Sequence, residues 1–263
     1  MRELHRSIVG QLEAAGRESR YASDADEPDP RYRSYGARAA AKRRVFMVHR
    51  AQIRSLAAEA RVELARLLIE SEYGEQQGIA IDVLAELPEF FQPGNLHLID
   101  AFIRRLHGWS KIDGFTGAVV KDVLFRYPQP VIELARSWSR DSDLWLRRAS
   151  VVLFTRKVAE SGRFTDVALE LCERLAGDPE VMVQKGVGWA LKDIMRSAED
   201  RVVACVKALR AAGAPSVVTL YAIRNLDGSK RQAVLAVKPT DSSSCRASGG
   251  SRRNGVPGRD PAH

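Results

Sequence analysis

The sequence predicts an all-α protein of stacked helical hairpins, and three observations predict it. From about residue 50 onward, apolar residues recur at helical spacing with almost no strand alternation. Helix-starting and helix-stopping residues fall at the ends of these stretches. The segments SRDSDLWLRRASVVLF and LAGDPEVMVQKGVGWAL also align at an offset of 37 residues. Asp141 then matches Asp178, Asp143 matches Glu180, Leu146 matches Val183 and Arg148 matches Lys185. Two helices and a capped turn repeating every ~40 residues are the signature of a HEAT-like solenoid. One hairpin cannot bury its own apolar face, so neighbours must stack. Corresponding helices line one wall, so Arg148 and Lys185 are expected to point cations into a common concave groove.

Taken in order, residues 1–20 read as an amphipathic helix and 21–36 as a linker. The helical-repeat domain is placed at 37–227, followed by a basic, disordered tail at 228–263 rich in Gly, Ser, Pro and Arg. Asn95 is a candidate cap for LHLIDAFIRRLHG, which Gly108 closes. Pro130 suits the first turn of VIELARSW. In GDPE, Asp178 caps, Pro179 follows and Glu180 adds charge at the positive helix end. Gly213 ends one helix and Pro215 opens the next.

Composition narrows the function. The net charge of +8 is concentrated: residues 31–54 carry 8 basic side chains and no acidic one, while the main body is near neutral. Anionic partners are favoured by such a distribution, although it does not locate a site. No apolar run approaches the ~18 residues of a membrane span. The charged N-terminus lacks the apolar middle of a secretory signal, so a cytoplasmic protein is expected. Cys172, Cys205 and Cys245 are odd in number and far apart, against a disulfide framework. The five histidines form no metal-ligand spacing, and neither metal nor cofactor is expected.

Two tryptophans stand out. Turning VQKGVGWALKDIMR by about 100° per residue puts Val183, Val187, Ala190, Leu191 and Ile194 in one buried stripe. Trp189 lies nearly opposite, among Lys185, Lys192 and Arg196, with Gly186 and Gly188 leaving little side chain beside the ring. It either meets a neighbouring helix while lysine stems pass it, or faces a ligand. In HGWSKIDGF, Trp109 and Asp113 share a helical face, and Gly108 and Gly114 permit close approach of a ligand backbone. Asp113 is otherwise a helix-start cap or a partner of Lys111. No phosphate-cradling glycine loop, nucleophile elbow or zinc-deaminase set occurs.

The motifs WSKID, LWLRRASVVLF, SGRFTDVALELCERL, QKGVGWALKDIMR and TLYAIRNL together resemble the DNA alkylation repair family of HEAT-like glycosylases over residues 50–227. The resemblance implies a curved protein gripping duplex DNA and excising N3- or N7-alkylated, positively charged purines. It implies Asp113, Trp109 and Trp189 at the active site and Arg148 at the DNA backbone. Arg147, Lys185, Lys192 and Arg196 are further expected phosphate contacts. Ser110 departs from the acid often found after the first Trp, and AAAKRRVFMVHR departs from the usual short helix start. A placed carboxylate would stabilise a sugar oxocarbenium ion by about 4 kcal/mol at 4 Å and an effective dielectric near 20, roughly a thousandfold in rate. The protein is expected to act as a monomer on alkylated double-stranded DNA. The alternative is a non-catalytic helical scaffold that binds DNA or a protein in the same groove.

Overall fold

A computed structural model describes residues 1–19 and 31–239. Most of the expected linker, and the tail beyond residue 239, lie outside the described residues. Fourteen α-helices in those residues follow one another, with no strand among them. They are α1 (Arg2–Glu18), α2 (Ala39–Arg54), α3 (Ala58–Ile69), α4 (Gly74–Ala85), α5 (His97–Ile103), α6 (Trp109–Phe115) and α7 (Lys121–Arg126). Then come α8 (Pro128–Trp138), α9 (Leu144–Val152), α10 (Arg156–Glu160), α11 (Thr165–Leu175), α12 (Val181–Ala211), α13 (Ser216–Ala222) and α14 (Gly228–Leu235). A π-helical turn, Thr116–Val120, joins α6 to α7. Non-helical backbone at Ala198 (φ −149°, ψ 50°) breaks α12 into two rods. No helix among the described residues is long and apolar enough to cross a membrane.

One row of helices runs through the molecule: α2 packs on α4, α4 on α6 and the π turn, α6 on α9, α9 on α12 and α12 on α13. The second row backs it, with α3 against α4, α8 against α9 and α11 against α12. This is the HEAT-like arrangement, and polar contacts repeat its period. Lys42–Asp82, Arg50–Glu86, Arg126–Glu89, Arg136–Glu170 and Arg196–Glu160 each join residues 34 to 40 apart. The tryptophan of α8 does the same: Trp138 Nε1 donates to Asp100, 38 residues back, at 2.8 Å. Such contacts tie each repeat to the next, as expected where stability comes from nearest-neighbour interfaces.

The aligned repeats are also alike in detail. Asp141 accepts from the N–H of Asp143 and Asp178 from that of Glu180, each at 2.9 Å. Each carboxylate also receives an arginine of the preceding repeat, Arg104 and Arg147 respectively. Asp178 therefore braces the turn, and Glu180, not Asp178, occupies the cap position of α12. Asn95 likewise closes the turn before α5, its Oδ1 accepting from the Gln92 N–H and its Nδ2 donating to the Phe90 carbonyl.

Both ends differ from the expected boundaries. Helix α1 buries Leu4, Ile8 and Leu12 in the common core, and the carbonyl of Tyr35 approaches so close to Gly16 that a Cβ there would sit 2.1 Å from it. Residues 31–36, expected within a linker, are clasped to the start of α4. The Gly74 N–H donates to the Arg33 carbonyl, and buried Glu75 accepts from Ser34 Oγ and from the N–H groups of Tyr35 and Ala37. The expected disordered tail also begins too early. Asp227 caps α14 by accepting from the Lys230 N–H at 3.0 Å, and Val234 is fully buried.

Candidate functional site

Helix α6 starts at Gly108, whose φ of 82° lies in the left-handed region open to glycine. That turn leaves Trp109 at the first helical position, 45 % exposed. Trp138 and Trp145, by contrast, are core residues. Asp113 follows one turn later and is buried. The helix then widens into the π turn, a feature common at functional positions. There Thr116 Oγ1 donates to the carbonyls of Ile112 and Asp113.

Arg148 of α9 grips Asp113 with both prongs, Nε to Oδ1 at 2.9 Å and Nη2 to Oδ2 at 2.8 Å. Its remaining nitrogen, Nη1, donates to the Met182 carbonyl at the start of α12. Burial pushes the Asp113 carboxyl above the usual range, while Arg148, and more weakly Arg156, favour its ionised form. A planar fork suits this two-point grip, which a lysine could not copy.

The wall beyond is built by α12. Val183, Val187, Ala190, Leu191 and Ile194 are all buried, as the helical stripe predicts. Trp189 is half-buried, resting partly on the core. The Arg156 guanidinium lies over its ring, 5.1 Å from the centroid. Gly186 and Gly188 also serve packing. A Cβ on Gly188 would come 2.8 Å from Tyr221 Cβ, and one on Gly186 would touch Val151, Val152 and Arg148.

Arg156 and Asp193 escaped the sequence reading. Arg156 has φ 53°, a left-handed backbone at a non-glycine residue, which costs ~1–2 kcal/mol. Its N–H donates at 2.8 Å to Oδ2 of buried Asp193, and Lys192 Nζ lies 2.7 Å from the other oxygen. No sequence signal marks a positive φ at arginine. A charged residue within one turn of Ile194 and Leu191 was the only hint for Asp193.

The expected phosphate contacts separate into two groups. Arg147 is engaged by Asp178 and by the carbonyls of Asp141 and Ser142, and Arg148 is buried on Asp113. Every guanidinium nitrogen of Arg148 has a protein partner, so Arg148 does not offer a cation to a common groove with Lys185 as the repeat register predicts. The reason is the neighbour: Asp113 faces Arg148, and no carboxylate among the described residues claims Lys185, which is exposed. Lys192 is held by Asp193, and Arg196 forms a surface pair with Glu160.

Beside α6 lies a groove of about 770 Å³ between α2, α4, α6 and the π turn. Arg38, Lys42 and Lys111 border it. Gly114 leaves its wall bare, since a Cβ there would meet only Ile81 Cδ1 at 3.9 Å.

Solved structures share this fold at low sequence identity. A predicted DNA alkylation repair enzyme from Enterococcus faecalis superposes with TM-score 0.66 at 13% identity, covering 83% of this chain and 94% of that one. The Pseudomonas fluorescens alkylpurine DNA glycosylase AlkC, bound to DNA containing an abasic site analog, superposes with TM-score 0.51 at 14% identity. That alignment covers 88% of this chain and 60% of AlkC. No curated protein matches the chain in sequence. The sequence pattern of the DNA alkylation repair enzyme family matches residues 10–226, and the chain belongs to that family.

Proposed function

We propose that this protein is a DNA glycosylase that releases N3- or N7-alkylated purines from duplex DNA. The observation that carries the reading is the junction of α6, α9 and α12. A carboxylate is fixed there by Arg148, Trp109 stands one turn away, and Arg156 reaches from the Trp189 ring towards the π turn.

An alkylated purine carries a positive charge. When the C1′–N bond breaks, both bonding electrons go to the base, which leaves neutral and requires no general acid. The sugar becomes an oxocarbenium ion, and water adds to it, losing a proton and leaving an abasic sugar. Asp113 supplies negative charge for that cation, and the indoles of Trp109 and Trp189 offer π faces to the charged base. Arg148 is a positioning residue that acts through Asp113.

Its charge also sets the magnitude. A carboxylate ~4 Å from the sugar contributes about 4 kcal/mol at an effective dielectric near 20, and a guanidinium ~4 Å farther off cancels about half. About 2 kcal/mol remains, roughly thirtyfold in rate. The paired acid is thus a weaker catalyst than a lone one.

The test is release of free base from methylated duplex DNA. Wild type is expected to release it and Asp113→Asn to be roughly a thousandfold slower, because the amide loses the attraction of about 4 kcal/mol and leaves the Arg148 charge uncancelled. Equal rates remove Asp113 from the mechanism, and no release by a wild type that binds DNA removes the enzyme. The closed Asp113–Arg148 pair is the observation favouring the second reading, a scaffold that holds DNA without cleaving it. A buried pair of this kind serves structure as readily as chemistry.

A further inference from the structure

We infer that Arg156 is a DNA-phosphate contact that covers Trp189 in the free protein and leaves it when DNA binds. The inference rests on the reading of this face as the DNA surface.

Three observations converge on the side chain. Its guanidinium makes no hydrogen bond or ion pair with any described residue; it lies 5.1 Å from the Trp189 ring and beside the π turn, where a Cβ on Gly117 would sit 3.6 Å from Nη1, and acts on Asp113 only weakly through space. Arg147, Arg148 and Arg196 all have carboxylate partners, whereas among the described residues none pairs with the Arg156 guanidinium, which stays available to a phosphate. Its backbone is held in an unfavourable conformation by the N–H bond to buried Asp193. Strain of that sort persists where the surroundings enforce it and is concentrated at ligand sites.

A guanidinium pairs with a phosphodiester through two charge-assisted bonds, which exceed an exposed contact with an indole. On the ring, the same cation occupies the face that a cationic purine needs. Capture of a backbone phosphate therefore uncovers Trp189 at the moment a lesion can reach it. Asp193 is the positioning residue for this exchange, since it fixes the backbone from which Arg156 projects.

Binding of a short undamaged duplex across a salt series tests the contact. Arg156→Gln keeps the N–H donated to Asp193 and is expected to lower the slope of log K against log salt by about 0.9, with Arg156→Lys retaining it. A slope equal to wild type in Arg156→Gln overturns the inference. The exchange itself is read from tryptophan emission in a Trp109→Phe background, where Trp189 is the one tryptophan outside the core. Added duplex is expected to shift emission when Arg156 is present and not in Arg156→Gln. The same shift in both overturns the covering role. Neither readout uses damaged DNA, so a failure here leaves base release standing, and absent base release leaves a lowered slope standing.

Discussion

Two carboxylates of this protein meet arginines of a neighbouring repeat, and they are used in opposite ways. Asp113 takes two guanidinium nitrogens of Arg148, 35 residues on, and both side chains are buried. Asp193 takes only the backbone N–H of Arg156, 37 residues back, and leaves that guanidinium outside on Trp189. The first contact closes a junction and fixes an acid. The second sends a cation outward from a strained turn. One repeat spacing therefore serves both to lock and to present, and the difference lies in which atoms of the arginine the carboxylate receives.

The comparison breaks most visibly at the closed pair. Arg148→Ala leaves Asp113 buried without its partner and is expected to cost about 3–5 kcal/mol in denaturant unfolding. Replacing both residues by leucine should recover much of that loss while slowing base release about thirtyfold, the net effect of about 2 kcal/mol for the pair. A double variant as unstable as Arg148→Ala would show that the junction depends on the charges themselves.

Trp189→Leu is expected to slow release of a cationic purine by up to about tenfold, the scale of a cation–π contact of ~0.5–1.5 kcal/mol. A matching loss of stability in denaturant unfolding would point to lost packing. The surface pair Arg196–Glu160 gives the smallest effect, because both partners are half-exposed. Glu160→Ala should change stability by under about 1 kcal/mol. A larger loss would make this exposed contact as structural as the buried one.

What the sequence discloses follows the range of the interaction. The stripe from Val183 to Ile194 was legible because helical periodicity and burial are local properties. The repeat register was legible at Asp141 and Asp178, where the same turn needs the same side chain. Trp109 and Trp189 were legible as tryptophans outside the core. The partner of Arg148 was not, since a pair 35 residues apart depends on how two helices face each other. The packing role of Gly186 and Gly188 was hidden for the same reason, since it is set by the close approach of α9 and α13. The capped helix after Asp227 did leave a trace, an Asp before Gly-Ser-Lys and the apolar run AVLAV, which the basic composition of the tail obscured.

In the proposed mechanism the charge on Asp113 acts on the sugar, and the pH dependence of base release is its sharpest test. Burial raises the Asp113 carboxyl, so on acidification it takes up a proton at higher pH than a solvated aspartate would. Single-turnover base release from methylated duplex is therefore expected to fall on the acidic side in wild type, and to be slower and flat there in Asp113→Asn. An identical acidic limb in both proteins would contradict the account.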